Sequence, residues 1–573
     1  MNYKPSSWDL AVITPDSIAK ASTIIEEKAK GIETKKKLLT NSITSKTFMN
    51  IIIEYESLRQ KMEKLGIYAH LKFCENSNDQ RAVAEMSQVE SLLTKAGNRL
   101  LFLTHWFKKL PDEKAQELID ASSRYRYYFE TLRKNKKFTL EENEEKIINI
   151  KDTTGSSALN TIYNILTSDF VFQFLGKKKT QEEMVTYVRS KDPKIREAAY
   201  KILLAPYKLN KTVIGEIYKN IINDWREENV ALRGYKSPIN VRNEVNDIPD
   251  EAIDVLLRVC KKNQHLFHKF FEIKRKKLGL KKLTRFDLYA PIEEEKGAIS
   301  YDQAVKLVLK TFAEFSPVFK DCAEKIITKN HVHSRVQKGK RSGAFCCPAT
   351  TQLPPFILLS YTAKYRDVST LAHELGHGIH MTLSQGQTEF TMDACLPLAE
   401  TASIFSEMLL SEKVMEDNPK AAKAMMFTKL DDLYASIIRQ AGFVAFEIKA
   451  HQMMKEGKTV DQMSRVYLED LRKQLGPVEV DEIFAYEWAY IPHIFSTPFY
   501  CYAYAFGNLL TLALYEIYKE DKKFSEKIIE MLAKGGSASP LEITKAIGVD
   551  ITSEKFWQKG FDVIQKMIKK IEN

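Results

Sequence analysis

The sequence predicts a mainly helical protein of more than one lobe, and three observations carry that prediction. The chain has 573 residues, more than one hydrophobic core usually supports. Glycine and proline number only 22 and 18, too few for an architecture of short strands and turns. Long stretches rich in Glu, Lys, Leu, Ile and Ala favour helix.

The composition excludes several classes. At 44% hydrophobic and 28% charged residues, the chain reads as an ordinary globular protein. The net charge of +11 is spread over short basic runs at Lys35–Lys37, Lys177–Lys179, Lys274–Lys277 and Lys338–Arg341. Such runs read as solvated helix faces. No nucleic-acid-binding motif accompanies them, so no nucleic-acid partner is expected. No segment of about 18 apolar residues suggests a membrane span. The first residues, MNYKPSSWDL, lack the apolar stretch of a secretion signal. Seven cysteines, with no CxxC pair, fit reduced thiols in the cytoplasm. Subunit number leaves no trace in the sequence.

Taken in order, residues 1 to about 190 read as a succession of amphipathic helices. The segments Ala19–Leu39 and Gln88–Phe107 carry apolar residues at three- and four-residue spacing. His70 and His105 stand alone and read as surface or packing residues. At Ser190–Lys201, Asp192 is placed to cap a helix whose first residue is Pro193. A boundary near residue 190 follows, dividing an N-terminal helical region, 1–190, from a second region, 191–573. Helices are expected to continue to about residue 330. The texture then changes: Gly343–Cys347 and Pro355–Tyr361 are short apolar runs bounded by Gly and Pro, which read as buried strands.

The chemistry begins at LAHELGHGIH, residues 371–380. Residues four apart lie one turn apart on a helix. His373 and His377 can therefore grip one zinc ion, with Glu374 beside it. With His373 at zero, His377 falls near about 40° and His380 near about −20°. Val368, Leu371, Leu375 and Ile379 lie on the opposite side. One face is thus free for a cleft while the other packs, and Asp367 is placed to cap the helix start. A catalytic zinc usually takes a third protein ligand. His380 lies about 10 Å along the axis from His373, too far to share the ion, and position 383 is Leu.

The next predicted helix, CLPLAETASIFSEMLLSE (395–412), offers carboxylates. Pro397 marks its start. Glu400 and Glu407 share a face with Ser403, opposite Leu398, Ala402, Phe405 and Leu409. By position alone, Glu400, Glu407 and Asp393 are all candidates.

The block from Arg341 to Glu407 resembles the thimet-oligopeptidase-like zinc metallopeptidases, in the oligoendopeptidase F branch. RSGAF (341–345), PFILLSY (355–361), TLAHELGHGIH (370–380) and AETASIFSE (399–407) carry the resemblance. TLEENEEKIIN (139–149) and DPKIREAAY (192–200) extend it upstream. The resemblance implies His373, His377 and Glu400 as the ligands of one Zn2+ and Glu374 as the general base. It implies two helical lobes flanking a deep substrate channel, with a small β-sheet lining the cleft. It implies cleavage of short unstructured peptides, and makes 191–573 the catalytic part. The family's histidine and tyrosines for substrate binding and oxyanion stabilisation fall within residues 491–508. A helix starting near Pro498 would put Tyr500 and Tyr504 on one face and Tyr502 on another. His493, Tyr504 and Tyr500 are the candidates there. The strand around Gly343–Cys347 is placed to hold a peptide backbone by strand addition.

Two other readings fit the motif: a zinc exopeptidase of related architecture, and a non-catalytic helical scaffold. An end-blocked peptide separates the first, and metal content the second.

Overall fold

In the computed structural model, residues 2–293, 298–348 and 350–572 are described. Helices hold 72% of the chain and strands 3%, so the few strands mark special places. The helices start where short polar side chains cap them: Ser17, Thr44 and Asp79 each accept a backbone N–H in the first turn. Asp192 caps and Pro193 opens Pro193–Leu209, as the sequence indicates.

Two large hydrophobic cores and a smaller one, which joins Trp8, Leu71 and Cys74 to Cys347 and Phe356 of the sheet, organise the described residues. Helices Ile18–Thr34, Ser45–Glu75 and Gln80–Lys109 close over Ile25, Phe48, Leu58 and Phe107. A larger core runs from Tyr163 to Ile571. Two helical lobes flank the channel. Asp393 and Asp432 are exposed, yet the surrounding protein pushes both carboxyls up, as befits groups lining a recess. The N-terminal helices close one side of it. Gln60 donates to the Thr351 hydroxyl, and Glu389 N–H donates to Glu56. Phe390 stacks on Tyr128 with ring centres 4.5 Å apart.

The run of helices before residue 330 is interrupted by a hairpin, β1 (Phe172–Phe174) and β2 (Lys177–Lys179), which pair antiparallel. Leu175 and Gly176 both have positive φ, 50° and 74°, a two-residue turn that matches strand twist. Phe172 and Phe174 point inward while Gln173 is exposed. The basic run Lys177–Lys179 is therefore strand, not helix face.

The second sheet is built from β3 (Val332–His333), β4 (Phe345–Cys347) and β5 (Phe356–Leu358), in the order β3-β5-β4. β3 runs parallel to β5, and β4 runs antiparallel with Cys346 opposite Ile357. β4 is thus an edge strand, and both predicted strands exist in shortened form. Two further basic runs depart from the solvated-face reading. Lys274 is fully buried and donates to Asp431 (2.5 Å) and to Leu288 O (2.7 Å). Lys340 donates to the carbonyls of His333, Arg335 and Leu359, tying the sheet to its following loop.

The histidine helix spans Tyr365–Leu383 and follows β5 directly. Asp367 does not occupy the cap position, which is Lys364. It sits inside the first turn, and its carboxylate accepts from the N–H groups of Thr362 (2.6 Å) and Lys364 (3.1 Å). Its carboxylate thus serves the N–H of the cap residue and of the loop before it, the N3 half of a capping box, not the first-turn donors that a cap side chain would meet.

Candidate metal centre

His373 and His377 project from one face of the histidine helix, ring centres 4.9 Å apart. The opposite face, with Val368, Leu371, Leu375 and Ile379, is wholly buried. The predicted division of the helix into cleft face and core face therefore holds.

Glu400 is not inside a regular helix. A short turn, Leu396–Ala399, precedes it, and the helix Thr401–Asp417 begins just after it. The carboxylate swings out at this junction to within 3.6 Å of His373 Nε2 and 3.5 Å of His377 Nε2. The ligand atoms of all three residues lie within 4.8 Å of one another. The Ser403 hydroxyl donates to Glu400 Oε2 at 3.1 Å. The expected contrast between polar and apolar faces is absent: Thr401, Ser403 and Ser406 are as buried as Ala402 and Phe405. From Thr401 to Leu410 this helix is packed nearly all round, because its polar side faces the histidine helix instead of water.

Close approach of the two helices depends on Gly376. A Cβ there would lie 2.5 Å from Ser403 Cα and 2.6 Å from Ala402 O. Glycine costs a helix about 1 kcal/mol relative to alanine, and here it leaves out an atom for which the facing backbone has no room. Gly507 does the same on the other side, where a Cβ would lie 3.2 Å from Glu400 Cβ. Neither glycine stands out by motif, although a glycine inside a helical pattern is itself a sign of close backbone approach.

Glu407 accepts from His373 Nδ1 at 2.5 Å, and Ser369 Oγ from the histidine helix reaches its other oxygen at 3.4 Å. Its position seven residues after Glu400 puts it on the same face, one layer behind the ligands. His380 stays apart: it is buried, and burial with the nearby His377 lowers its pKa to about 4. Asp393 lies outside the cluster of ligand atoms.

The electrostatics fit a bound cation. Burial opposes charge on His373, but the Glu407 hydrogen bond and the neighbouring carboxylates override it and raise the pKa to about 9. Burial likewise opposes ionisation of Glu400. The His377 contact, both imidazoles and Ser403 reverse this and lower it to about 2. Two imidazole nitrogens and one carboxylate, gathered where carboxylates attract positive charge, are a donor set that could hold a divalent metal ion. Glu374 is 6% exposed, and burial raises its carboxyl despite the two histidines.

The second cluster comes from residues 493–504. The long helix starts at Tyr502, four residues later than the sequence suggests, and His493 lies on a separate turn, His493–Ser496. The rings still meet. His493 stacks on Tyr500 with centres 5.6 Å apart, and Tyr500 meets Tyr504 edge-on at 5.0 Å. The Tyr504 hydroxyl lies 3.3 Å from His493 Nε2. Tyr502 points away, buried, accepting from Asn246 Nδ2 at 2.7 Å. The Glu400 charge reaches Tyr500 and Tyr504 and helps raise both. Gly507, one turn beyond Tyr504, touches Glu400, so this cluster stands beside the three-residue centre.

Comparison with known proteins accords with this picture. Residues 186–563 match the model of peptidase family M3, and residues 106–172 match that of Oligopeptidase F. The chain is 27% identical to an oligoendopeptidase F homolog of Borreliella burgdorferi, over 99% of this chain and 97% of that protein. It is 26% identical to the group B oligopeptidase PepB of Streptococcus agalactiae, over 99% and 96%. The crystal structure of oligoendopeptidase-F from Enterococcus faecium superposes with a TM-score of 0.73 at 21% identity, covering 97% of this chain and 98% of that one.

Proposed function

Since this chain belongs to peptidase family M3 and is a metalloendopeptidase, we propose that it uses one zinc ion to hydrolyse internal bonds of short, unstructured peptides. The observation that carries the reading is the convergence of His373, His377 and Glu400 within 4.8 Å, with Glu374 buried at their side. These three would hold the ion, with Glu407 fixing the tautomer and orientation of His373. When bound, zinc acidifies water towards a pKa of about 7 and polarises a carbonyl.

The chain's own residues do the rest. Glu374 accepts the proton of the attacking water and passes it to the leaving amine. His493 and Tyr504, with Tyr500 behind them, donate to the negative charge growing on the scissile carbonyl oxygen. The free edge of β4 offers backbone groups to an extended peptide, and a channel between lobes admits extended chains and excludes folded ones. The catalytic region is taken as 191–573 and the N-terminal helical region as 1–190. Seven free thiols accord with a cytoplasmic location.

The test is cleavage of an end-blocked, internally quenched peptide of about ten residues, a length suited to an extended binding mode. Wild type should cut it. Glu374→Gln should keep zinc and lose activity, and Glu400→Ala should lose both. A zinc-loaded wild type that cuts only unblocked peptides would make the protein an exopeptidase; a chain that takes up no zinc would end the proposal.

A further inference from the structure

The backbone between His493 and Tyr502 is held in an unfavourable shape by side chains from far away in sequence. Phe499 has φ 60°, in the left-handed region that a bulky residue rarely occupies. Two contacts bracket it. Arg242, on the helix Pro238–Val245, donates from Nε to Pro498 O at 3.1 Å. Phe499 N–H donates to Oε1 of Glu447, on the helix Arg439–Lys455, at 2.8 Å. Tyr500 follows immediately and carries the ring that stacks on His493.

Glu447 is 1% exposed, an unusual place for a carboxyl. Its Oε2 has no hydrogen-bond partner, nor has the hydroxyl of Tyr218 on the helix Lys211–Arg226, whose pKa Glu447 helps raise. Cys501 and Arg242 are its other polar neighbours, and His451, one turn along its own helix, packs on Phe499. A buried acid with an unmet oxygen weakens a core that an apolar residue of similar size would strengthen. The contact that repays this cost is the one to Phe499.

We propose that Glu447, with Arg242 as second anchor, is a positioning residue for peptide hydrolysis: it locks Pro498–Phe499 so that His493, Tyr500 and Tyr504 form one cluster beside the metal ligands. Glu447 touches none of those three side chains and acts only through the backbone. What it must supply is an acceptor oxygen at one point. Burial pushes its carboxyl up to about 8, so at neutral pH the acid supplies that oxygen without a buried charge. The inference rests on the function proposed above.

The test uses the full-length, zinc-loaded enzyme and the end-blocked quenched peptide. Glu447→Gln keeps an acceptor oxygen; Glu447→Leu removes it and fills the space. The expected result is a fall in kcat of about 100-fold for Glu447→Leu, as for loss of an oxyanion donor. KM, zinc content and melting temperature should stay near wild type. Glu447→Gln should retain kcat to within about fivefold. Arg242→Gln, away from the deep core, provides an arm in case Glu447→Leu does not fold; kcat should fall about tenfold at unchanged KM. A folded Glu447→Leu with wild-type kcat, a Glu447→Gln as impaired as Glu447→Leu, or an Arg242→Gln with wild-type kcat would overturn the inference. Failure of zinc-loaded wild type to cut the peptide would instead overturn the function on which it rests.

Discussion

The two halves of the candidate site are built by opposite means. The metal half comes from regular helix: His373 and His377 are one turn apart, and Glu400 enters at the end of a neighbouring helix held tight by Gly376. The half formed by His493, Tyr500 and Tyr504 comes from an irregular segment with a left-handed residue, pinned by Arg242 and Glu447 from more than 50 residues away. A helix brings its side chains into register by its own hydrogen bonds. A strained turn has no such internal guarantee and keeps its shape only while its surroundings impose it. The first half should therefore fail by losing metal, and the second by losing rate with metal in place.

The sharpest break of that contrast is Gly376→Ala. The added Cβ meets backbone on the opposing helix at 2.5–2.6 Å, so the helices must part. Overpacking of this kind costs about 1–3 kcal/mol, and contact with rigid backbone places it at the upper end. Thermal unfolding should fall steeply, and zinc content should fall with it.

Next comes Tyr504→Phe. Loss of one donor to a developing oxyanion lowers rate by about 10²–10³-fold. Steady-state kinetics should show this in kcat, and metal analysis should show a full complement of zinc. A variant that loses zinc as well would mean that the two halves are one coupled unit.

Glu407→Gln should be milder and should fall on the metal half. Removing a carboxylate partner of a ligating histidine typically costs 10–100-fold in metal affinity. Titration against a competing chelator should give that loss, with much of the activity restored at saturating zinc.

A dependence on pH also separates the halves. Glu447 has its pKa raised by burial from 4.5 to about 8, so the folded protein binds its proton more tightly than the unfolded chain. That contribution to stability is complete below the ordinary carboxylate pKa and is lost as pH rises through about 8. Between these limits this one group should weaken folding steadily as pH rises. Denaturation of wild type and Glu447→Gln from pH 5 to 9 should show this extra slope in wild type alone. Parallel curves would mean that the carboxyl is not held neutral.

The helical class, the helix start at Asp192–Pro193, and the opposed faces of the histidine helix are all periodic or local features, so each is legible residue by residue. The same holds for the pairing of His373 with His377. Asp367 was assigned to the cap position and lies three residues inside it, where its carboxylate reaches back to the N–H groups of Lys364 and Thr362. The β1–β2 hairpin was missed, though FQFLGKKK contains its turn glycine, because two three-residue strands carry too little alternation to read against helical surroundings. The shared face of Glu400, Ser403 and Glu407 held, but the burial of the polar residues around it was not legible, for a deeper reason. Serine and threonine count as polar in any pattern, yet here they are buried against another helix.

By itself, then, the sequence determined a mainly helical chain and a two-histidine motif with its neighbouring glutamate, because helix geometry converts spacing directly into proximity. It left Glu400, Glu407 and Asp393 equivalent until the family resemblance separated them. Only the tertiary structure decided that Glu400 meets both histidines while Glu407 stands behind His373. The same is true of the bracing of Phe499 by Arg242 and Glu447. Those relations join residues on different elements, and their distances follow from how helices pack, which no single segment encodes.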